Sequence, residues 1–300
     1  MERELWLSLY LLVKQSHLRG SGWRFSTADI LMVYLWAAVH DRPMRWAVDG
    51  RNWPDDLRLT RLPSQSQLSR RMRGPDVVEM MCEVEDQLRA LVGVELRSIH
   101  SIDAKPLDVS NVSKDPDAGY GRSAGGKHKG YKLFAIWSEV GIPSAWGLAP
   151  MNVSEKVMAS ALIPTLPGEG YLLGDGEYDS NQLYDQAHEA GLQLLAPKRK
   201  AKKKLGNQGS GHQGLGHRRQ SPYRLQSIEL LQSELGRNLF RRRNCIECSF
   251  GSLVCFGGGL TCLPPWVRRF TRVRNWIHAK LLLNAVRWLR SHHVHLISAA

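Results

Sequence analysis

The stretch YLLGDGEYDSNQLYDQAHEAG, Tyr171 to Gly191, joins an apolar run, an acidic turn and a second periodic segment. The run YLLG is short and apolar, which is typical of a strand in the interior of a sheet, and it ends at Asp175. Asn181 to Ala190 is predicted to be a helix, and Gly191 closes it. A buried strand that leads through an acid into a helix indicates an α/β fold.

The sequence on either side extends the same pattern. LRSIHSID predicts a strand that ends at Asp103. YKLFAIWS and SAWGLAPM, joined by a turn at Gly141, predict an antiparallel hairpin, and SEKVMASALIPTL predicts the helix that follows. LQLLAP is a further short strand. The order strand, hairpin, helix, strand, helix, strand predicts an α/β fold with a mixed sheet flanked by helices.

Helical sequence flanks this region on both sides. The first part of the chain, residues 1–95, is predicted to be helical, and a long amphipathic helix, TRVRNWIHAKLLLNAVRWLRS, lies near the end. Residues 198–222 are glycine-rich and densely basic, which predicts a flexible insertion. We therefore expect a helical N-terminal region over 1–95, an α/β domain over 96–290 with a basic insertion, and a tail over 291–300.

The charge balance points to a polyanionic partner. Lys and Arg number 41 against 28 Asp and Glu, so the net charge is +13 and the isoelectric point is about 9.8. Such an excess favours nucleic acid first and an anionic membrane surface second. The longest apolar run, ILMVYLWAAV, is too short for a membrane span, which needs about 18 residues. We therefore expect a soluble, cytoplasmic protein that binds nucleic acid.

Three acids are candidates for a metal centre. Asp103 and Asp175 are expected at strand ends, and Glu247 is expected on a helix further along the chain. Carboxylates from adjacent strands and a covering helix can converge, and their mutual repulsion is relieved when divalent cations lie between them. Mg²⁺ prefers oxygen ligands and keeps open water positions. Two such ions can activate a nucleophile and stabilise a leaving 3′-oxygen in phosphodiester chemistry.

The run RRRNCIECSFGSL around Glu247 allows two interpretations. Cys245, Cys248, Cys255 and Cys262 could form a zinc site, although structural zinc sites usually join two cysteine pairs across a longer gap. The alternative is a single helix in which the cysteines are small packed residues and Glu247 carries the chemistry.

Several of these segments, taken in order, resemble the bacterial insertion-sequence transposases of the DDE class. GDGEYDSNQLYDQAHEAG resembles their second-Asp motif, SIDAKPL their first-Asp motif, and GRSAGGKHKGYKLFAI the stretch that follows it. LPSQSQLSRRMR is similar to a segment upstream of their catalytic domain. Their third motif, Y-x2-R-x3-E-x6-K, maps to Phe240, Arg243, Glu247 and Val254. The resemblance covers roughly residues 55–290.

This resemblance implies an RNase-H-like catalytic fold in which Asp103, Asp175 and Glu247 are the catalytic metal ligands. It implies Mg²⁺ as the cofactor, with Mn²⁺ as a substitute, and double-stranded DNA as the substrate. Hydrolysis at the ends of the element would be followed by attack of the freed 3′-OH on target DNA. Pairing of two ends implies a homodimer on DNA, in the bacterial cytoplasm and associated with the nucleoid.

The third motif departs from the family at two positions. Phe240 replaces Tyr and loses a hydroxyl, whereas Val254 replaces Lys and loses a cation. Arg241, Arg242 or Lys280 are candidates to supply that cation. The departure leaves two alternatives open: a decayed relative that binds DNA without catalysis, and a nuclease of the same chemistry that cuts but does not join.

Other basic residues are candidates for DNA contacts. Arg70, Arg71 and Arg73 are expected on the helix opened by LPSQSQ, where they can reach phosphates. Lys127, His128 and Lys129 fall between two strands near the first Asp, and Arg243 is predicted either to pair with Glu247 or to contact phosphate. Among the remaining acids, Asp179 is predicted to cap the helix that starts near Ser180. Asp108, Asp115 and Asp117 are interpreted as loop acids.

Overall fold

The structure is a computed structural model that describes residues 2–15, 24–94, 97–123, 125–166, 168–198, 220–256 and 259–292. Most of the predicted basic insertion and of the tail, at residues 199–219 and 293–300, lies outside the described residues.

Five helices precede the sheet. Their bounds are α1 Glu2–Gln15, α2 Thr27–Val39, α3 Met44–Ala47, α4 Gln65–Arg71 and α5 Pro75–Val92. Ser26 and Ser64 open α2 and α4 with reciprocal capping boxes, each accepting a hydrogen bond from the backbone N–H three residues on. Helix α5 begins at Pro75 and ends at Val92, and the following Gly93 adopts a left-handed conformation (φ 68°) that favours glycine. Strong local signals therefore fix these helices.

Six strands and six further helices complete the described chain. The strands are β1 Ile99–Asp108, β2 Gly119–Ser123, β3 Gly126–Trp137, β4 Ala145–Pro150, β5 Gly170–Leu173 and β6 Leu192–Leu195. The helices are α6 Glu155–Leu162, α7 Asn181–Glu189, α8 Pro222–Gln232, α9 Glu234–Arg241, α10 Cys245–Val254 and α11 Phe270–Ser291.

The strands form one mixed sheet. Strand β3 pairs antiparallel with β1 on one side and with both β2 and β4 on the other. Strand β5 pairs parallel with β1, and β6 pairs parallel with β5. The resulting order β4-β3-β1-β5-β6, flanked by helices, confirms the predicted α/β class and is compatible with an RNase-H-like fold.

Strand β1 is longer than the sequence predicts. It does not end at Asp103 but runs on to Asp108, because β3 continues to pair with it as far as the register Asp108↔Gly130. The pairing with β5 stops earlier, at Ser101↔Leu173. Beyond that point one edge of β1 is open, so Pro106, which has no N–H to donate, is tolerated within the strand. Asp103 therefore lies just past the point where β5 leaves β1.

The two faces of the sheet carry separate hydrophobic clusters. Ile102, Phe134 and Leu172 pack with α6 and α7 on one face. Tyr131, Leu133 and Trp137 belong to the cluster that includes α10, α11 and the N-terminal helices. The stripe predicted on α11 is confirmed, since all its members are fully buried: Ile277, Leu281, Leu282, Ala285 and Leu289.

The start of α11 is held from a distant loop. The backbone N–H groups of Arg269 and Phe270 donate to Asp115 Oδ2 and Asp117 Oδ2, each at 2.9 Å. These two acids follow β1 in the chain and sit at the positive end of the helix dipole. Their interpretation as loop acids is confirmed, and they tie the N-terminus of α11 to the loop after β1. None of the described helices is long and apolar enough to cross a membrane.

Candidate active site

The first two candidate acids emerge side by side from the sheet. Ser101 pairs with Leu173 across the parallel strands β1 and β5. Asp103 lies two residues after Ser101, and Asp175 lies two residues after Leu173. Neighbouring strands lie about 4.8 Å apart, and residues two apart share a face. The backbone is still extended at Asp175 (φ −80°, ψ −177°). The sheet register therefore brings these carboxylates together on the face that α10 covers.

Asp103 has a partly buried carboxylate with two contacts. Its Oδ1 accepts a hydrogen bond from the N–H of Ala104 at 2.7 Å, and its Oδ2 lies 3.4 Å from Nη2 of Arg243. Burial raises the pKa of Asp103, and the charges of Asp175 and Glu155 add to that rise, while the Ala104 N–H and Arg243 oppose it. A bound cation would therefore stabilise the ionised form of this carboxyl.

Asp175 is oriented by the turn that it opens. Its Oδ1 accepts from the N–H of Glu177 at 2.8 Å, at the start of a short 3₁₀ turn. Tyr178, in the same turn, is 1% exposed and belongs to the hydrophobic cluster on the α6 and α7 face. A Cβ at Gly174 would come within 2.9 Å of the Tyr178 ring, so glycine is the residue that fits directly before Asp175. The GDGEYDS motif thus packs its own tyrosine against the glycine that precedes its acid.

Tyr178 is neutral in this setting. Burial raises its pKa well above the ordinary value, and the charges of Glu155, Asp103 and Asp175 raise it further. Glu155, at the start of α6, was not predicted as part of this site, although its charge also acts on Asp103. Its Oε1 lies 3.3 Å from Nζ of Lys132. Only the packing of α6 on the sheet, which no local motif records, brings it near.

The third candidate, Glu247, lies in the first turn of α10. The start of α10 contacts β1 through Cys245, whose Sγ is 3.4 Å from Oγ of Ser101. The Glu247 side chain is 71% exposed, and its Oε1 is 3.9 Å from Nη1 of Arg243. Arg243 therefore lies between Asp103 and Glu247, at the carboxylate-bearing edge of the sheet.

The guanidinium of Arg243 has an N–H donor that makes no hydrogen bond within the described part of the chain. Its side chain is only 17% exposed. Its Nε is buried and finds no hydrogen-bond partner among the described residues. Arg243 thus contacts the carboxylates of both Asp103 and Glu247. The contact with Glu247 is one of the two roles that the sequence predicts for it.

The donor set at this edge suits a hard divalent cation. Asp103 and Asp175 supply carboxylate oxygens, the ligands that Mg²⁺ prefers, and Mg²⁺ binds through as few as one or two carboxylates with water completing the shell. Within the described residues, no group of three His, Cys, Asp or Glu side chains is arranged to hold a metal ion. The observed arrangement is an aspartate pair with Glu247 turned outward towards Arg243.

The third motif is not the single helix that the sequence predicts. Helix α9 ends at Arg241, a 3₁₀ turn spans Arg242–Asn244, and α10 begins at Cys245. The packed face of α10 consists of Ile246, Ser249 and Leu253.

The interpretation of the cysteines as packing residues is wrong for most of them. Cys245 is partly buried, whereas Cys248, Cys255 and Cys262 are exposed. All four are free thiols, and the part of the chain that the structure describes does not gather them into a metal cluster.

Two of the three candidates for the missing lysine are engaged elsewhere. Lys280 is fully buried and donates to Ala38 O and Asp41 Oδ1, each at 2.6 Å, because the N-terminal helices enclose α11. Lys280 is therefore wrong as a substitute cation. Arg242 forms a bidentate pair with Glu139 at 3.1 and 2.7 Å. Arg241 is exposed and bonds Asn238 one turn away.

The predicted DNA contacts divide into exposed and internal residues. Arg70 and Arg73 are exposed, and each bonds only a backbone carbonyl of its own helical segment. Arg71 is turned inward instead, because Asp76, Thr27 and the Phe25 carbonyl take up its guanidinium at 2.7 to 3.0 Å.

The Lys127 and Lys129 ammonium groups lie near the ring of Tyr120, in the hairpin of β2 and β3. Lys127 is exposed, whereas Lys129 is half-buried and donates to the Ser113 carbonyl.

Asp179 is not the helix cap that the sequence predicts. Ser180 occupies the N-cap position of α7, and Asp179 instead accepts from Arg224 Nε and Nη2 at 2.6 and 2.9 Å. This ion pair joins the turn after Asp175 to α8. The partners lie 45 residues apart, so no local pattern indicates the contact.

The comparison with known families agrees with this geometry. Residues 95–283 match the family model described as the transposase DDE domain. No curated protein and no solved structure matches the chain. The matched region contains the sheet, all three candidate acids and most of α11. The chain therefore belongs to the DDE transposase family.

Proposed function

We propose that this chain is the transposase of an insertion element, which binds the two DNA ends of the element, cleaves them with Mg²⁺ and joins them to target DNA. One observation carries the proposal: Asp103 and Asp175 each lie two residues past the last paired residues of two adjacent parallel strands, and the helix that bears Glu247 contacts the first of these strands at Ser101. A DDE transposase family acts on DNA and generally uses divalent metal, which agrees with this donor set.

Asp103, Asp175 and Glu247 would hold the metal, with Mn²⁺ as a substitute for Mg²⁺. Bound divalent ions activate the attacking oxygen and stabilise the leaving 3′-oxygen of a phosphodiester. The chain's own contribution is to fix the carboxylates: the Ala104 N–H holds Asp103, and the Glu177 N–H holds Asp175. Tyr178 is buried and neutral, so it adds no charge to this part of the site.

Arg243 would bind DNA phosphate next to the reacting bond. Guanidinium carries five donors in a planar fork that suits phosphate, and the Nε of Arg243 is unused in the described part of the chain. The exposed Arg70, Arg73 and Lys127 would add contacts to the DNA backbone, while Lys129 would do so from the same hairpin. We propose that residues 1–95 supply DNA binding and 96–290 the chemistry, and that a homodimer pairs the two ends.

Val254 favours a second candidate function. The family lysine that Val254 replaces is absent, Lys280 cannot stand in for it, and Arg242 is already paired. A chain that binds DNA but has lost joining, or all catalysis, is consistent with this departure.

An assay of the wild-type protein separates these functions. The purified full-length chain is incubated with Mg²⁺, a plasmid that carries the DNA flanking the gene, and a separate target plasmid. A transposase releases element ends and joins them to the target. Cleavage without joining identifies a nuclease, and binding without cleavage identifies a decayed relative.

A further inference from the structure

A groove of about 510 Å³ lies away from the three acids, between α3, α4 and the first turns of α11. Its lining comes from sequence-distant segments, namely Tyr34 of α2, the region before and within α3, the α4 region and part of residues 265–276. Three arginines line it, Arg45, Arg73 and Arg272, and no aspartate or glutamate does. A concave surface with one sign of charge focuses the field on a ligand of opposite charge.

The charges of the three groove arginines are not neutralised by nearby acids among the described residues. None of them forms an ion pair with a described residue, and all three are exposed. Some exposed arginines elsewhere are matched with acids, for example Arg51 with Asp49 at 2.6 Å and Arg290 with Glu4 at 2.8 Å. Three unmatched guanidinium groups in one groove repel one another, so an anionic occupant would stabilise them.

The rest of the lining suits the backbone of a nucleic acid. Trp266 is 42% exposed, an unusual exposure for a large aromatic side chain, and it provides an apolar surface beside the charges. Gln65, Ser69 and Thr271 add hydrogen-bonding groups. Phosphate contacts from Arg with support from Gln, Ser and Thr are the contacts that position proteins on a duplex.

A hydrogen bond joins the chain segment beside the groove to the residue that follows the strand of Asp103. Nη2 of Arg268, next to the groove residue Val267, donates to the carbonyl of Val109 at 3.3 Å. Val109 follows Asp103 by six residues of nearly continuous strand, which corresponds to roughly 20 Å along the chain. About six base pairs of B-DNA cover that length. A duplex of about this length, with its scissile bond at Asp103, therefore matches the length of chain between that acid and the residue bonded to the groove segment.

We propose that this groove binds the phosphate backbone of duplex DNA through Arg45, Arg73 and Arg272. The inference rests on the proposed function in that the same DNA reaches the three acids. It goes further, because it assigns binding to a surface shared by the N-terminal helices and α11. The groove and the acids then hold one duplex at two separate points.

The test is a titration of labelled duplex DNA in EDTA across a series of salt concentrations. The variant Arg45→Gln/Arg73→Gln/Arg272→Gln is compared with Arg51→Gln/Arg58→Gln/Arg290→Gln, which loses three exposed, acid-paired arginines and the same net charge. Each lost phosphate contact lowers the salt slope by about 0.9, so the slope of the groove variant should fall by about 2.7, and its binding at 0.1 M salt should be roughly 500-fold weaker. Equal affinity and slope in the two variants would overturn the proposal.

A second measurement uses the wild-type protein and does not depend on the folding of a variant. Phenylglyoxal labelling, read by mass spectrometry, should fall at Arg45, Arg73 and Arg272 when DNA is present and stay constant at Arg51. Equal labelling with and without DNA would contradict the proposal. A polyglutamate competitor that displaced the DNA at equal charge would reassign the groove to an acidic polypeptide.

The outcome is separable from that of the proposed function, because EDTA removes metal-dependent chemistry from the binding test. Normal binding by the groove variant, together with Mg²⁺-dependent cleavage by the wild type, would reject the groove and leave the proposed function intact. DNA binding that depends on the groove arginines, without any cleavage by the wild type, would support the groove and reject the proposed function.

Discussion

Nη2 of Arg243 lies 3.4 Å from Oδ2 of Asp103, so the motif arginine contacts the carboxylate that heads the candidate metal site. The same guanidinium reaches Glu247 at 3.9 Å. A cation that binds Asp103 and Glu247 must therefore compete with Arg243 for their charge. DNA phosphate, which can take Arg243 away from them, would relieve that competition.

Replacing Arg243 should tighten metal binding by the DNA-free protein. We expect Arg243→Gln to raise the affinity for Mn²⁺ about tenfold, because a charge-assisted hydrogen bond to Asp103, with a net worth of roughly 1.5 kcal/mol, no longer opposes the ion. Electron paramagnetic resonance of free Mn²⁺ measures the affinity. Arg241→Gln, which replaces an exposed arginine outside the site, is the control and should bind Mn²⁺ as the wild type does. Unchanged or weaker Mn²⁺ binding by Arg243→Gln would contradict the competition.

Restoring the family lysine should improve the handling of DNA ends. Val254 lies seven residues after Glu247 on α10, so both lie on one side of the helix, two turns apart. We expect Val254→Lys to increase end cleavage or end binding roughly threefold to tenfold, since one cation adds about one phosphate contact. Cys255→Lys adds the same charge at the neighbouring, exposed position and serves as control. An equal increase in both variants would mean that position 254 has no special role.

The ion pair of Arg224 and Asp179 should stabilise the fold. Their side chains are only 15% and 5% exposed, so the removal of one partner leaves a buried charge. We expect Arg224→Met to lower the free energy of unfolding by about 3–5 kcal/mol in urea denaturation. Arg242→Met breaks the exposed pair with Glu139 and should cost less than about 1 kcal/mol. Equal losses in the two variants would show that burial does not set the strength of these pairs.

His100 should make stability fall in mild acid. It is fully buried on β1, and burial lowers its pKa below the ordinary 6.5, although a backbone contact partly opposes this. The unfolded chain therefore takes up the proton first as the pH falls through 6.5, and the free energy of unfolding falls with it, by up to about 1.4 kcal/mol per pH unit.

His100→Asn keeps a donor and acceptor near Ser144, whose Oγ is 3.2 Å from His100 Nδ1, and removes the titration. We expect a flatter profile between pH 7 and 5 than in the wild type or in the control His292→Asn, at an exposed position. The same slope in all three proteins would rule out His100 as the source.

Local sequence patterns predicted much of the fold. The apolar run before Asp175, the hairpin around Gly141 and the stripe on α11 all lie where alternation and helical period indicate them. The class and the mixed sheet followed from their order. Such signals are local, since they depend on residues that neighbour one another in the chain.

The residues that the sequence places wrongly share one physical cause. Each makes a contact with a residue that is distant in the chain. Strand β1 runs past Asp103 because β3 continues to pair with it, and Asp179 turns to Arg224 on α8. Arg71 points inward because the Phe25 carbonyl and the Thr27 hydroxyl take up its donors. Lys280 is enclosed because α11 packs against the N-terminal helices. The sequence around each of these residues carries no trace of its partner, so propensity and periodicity could not predict them.

The most direct test asks whether the three acids form one catalytic centre. Asp103→Asn, Asp175→Asn and Glu247→Gln are compared with Asp108→Asn, an exposed acid on the same strand as Asp103. Mg²⁺-dependent end cleavage is measured at matched DNA occupancy. Bound metal supplies several kcal/mol to such a transition state, so each of the three variants should lose at least about 100-fold in rate, while Asp108→Asn cleaves normally. Cleavage at the wild-type rate by Asp103→Asn or Asp175→Asn would contradict the assignment.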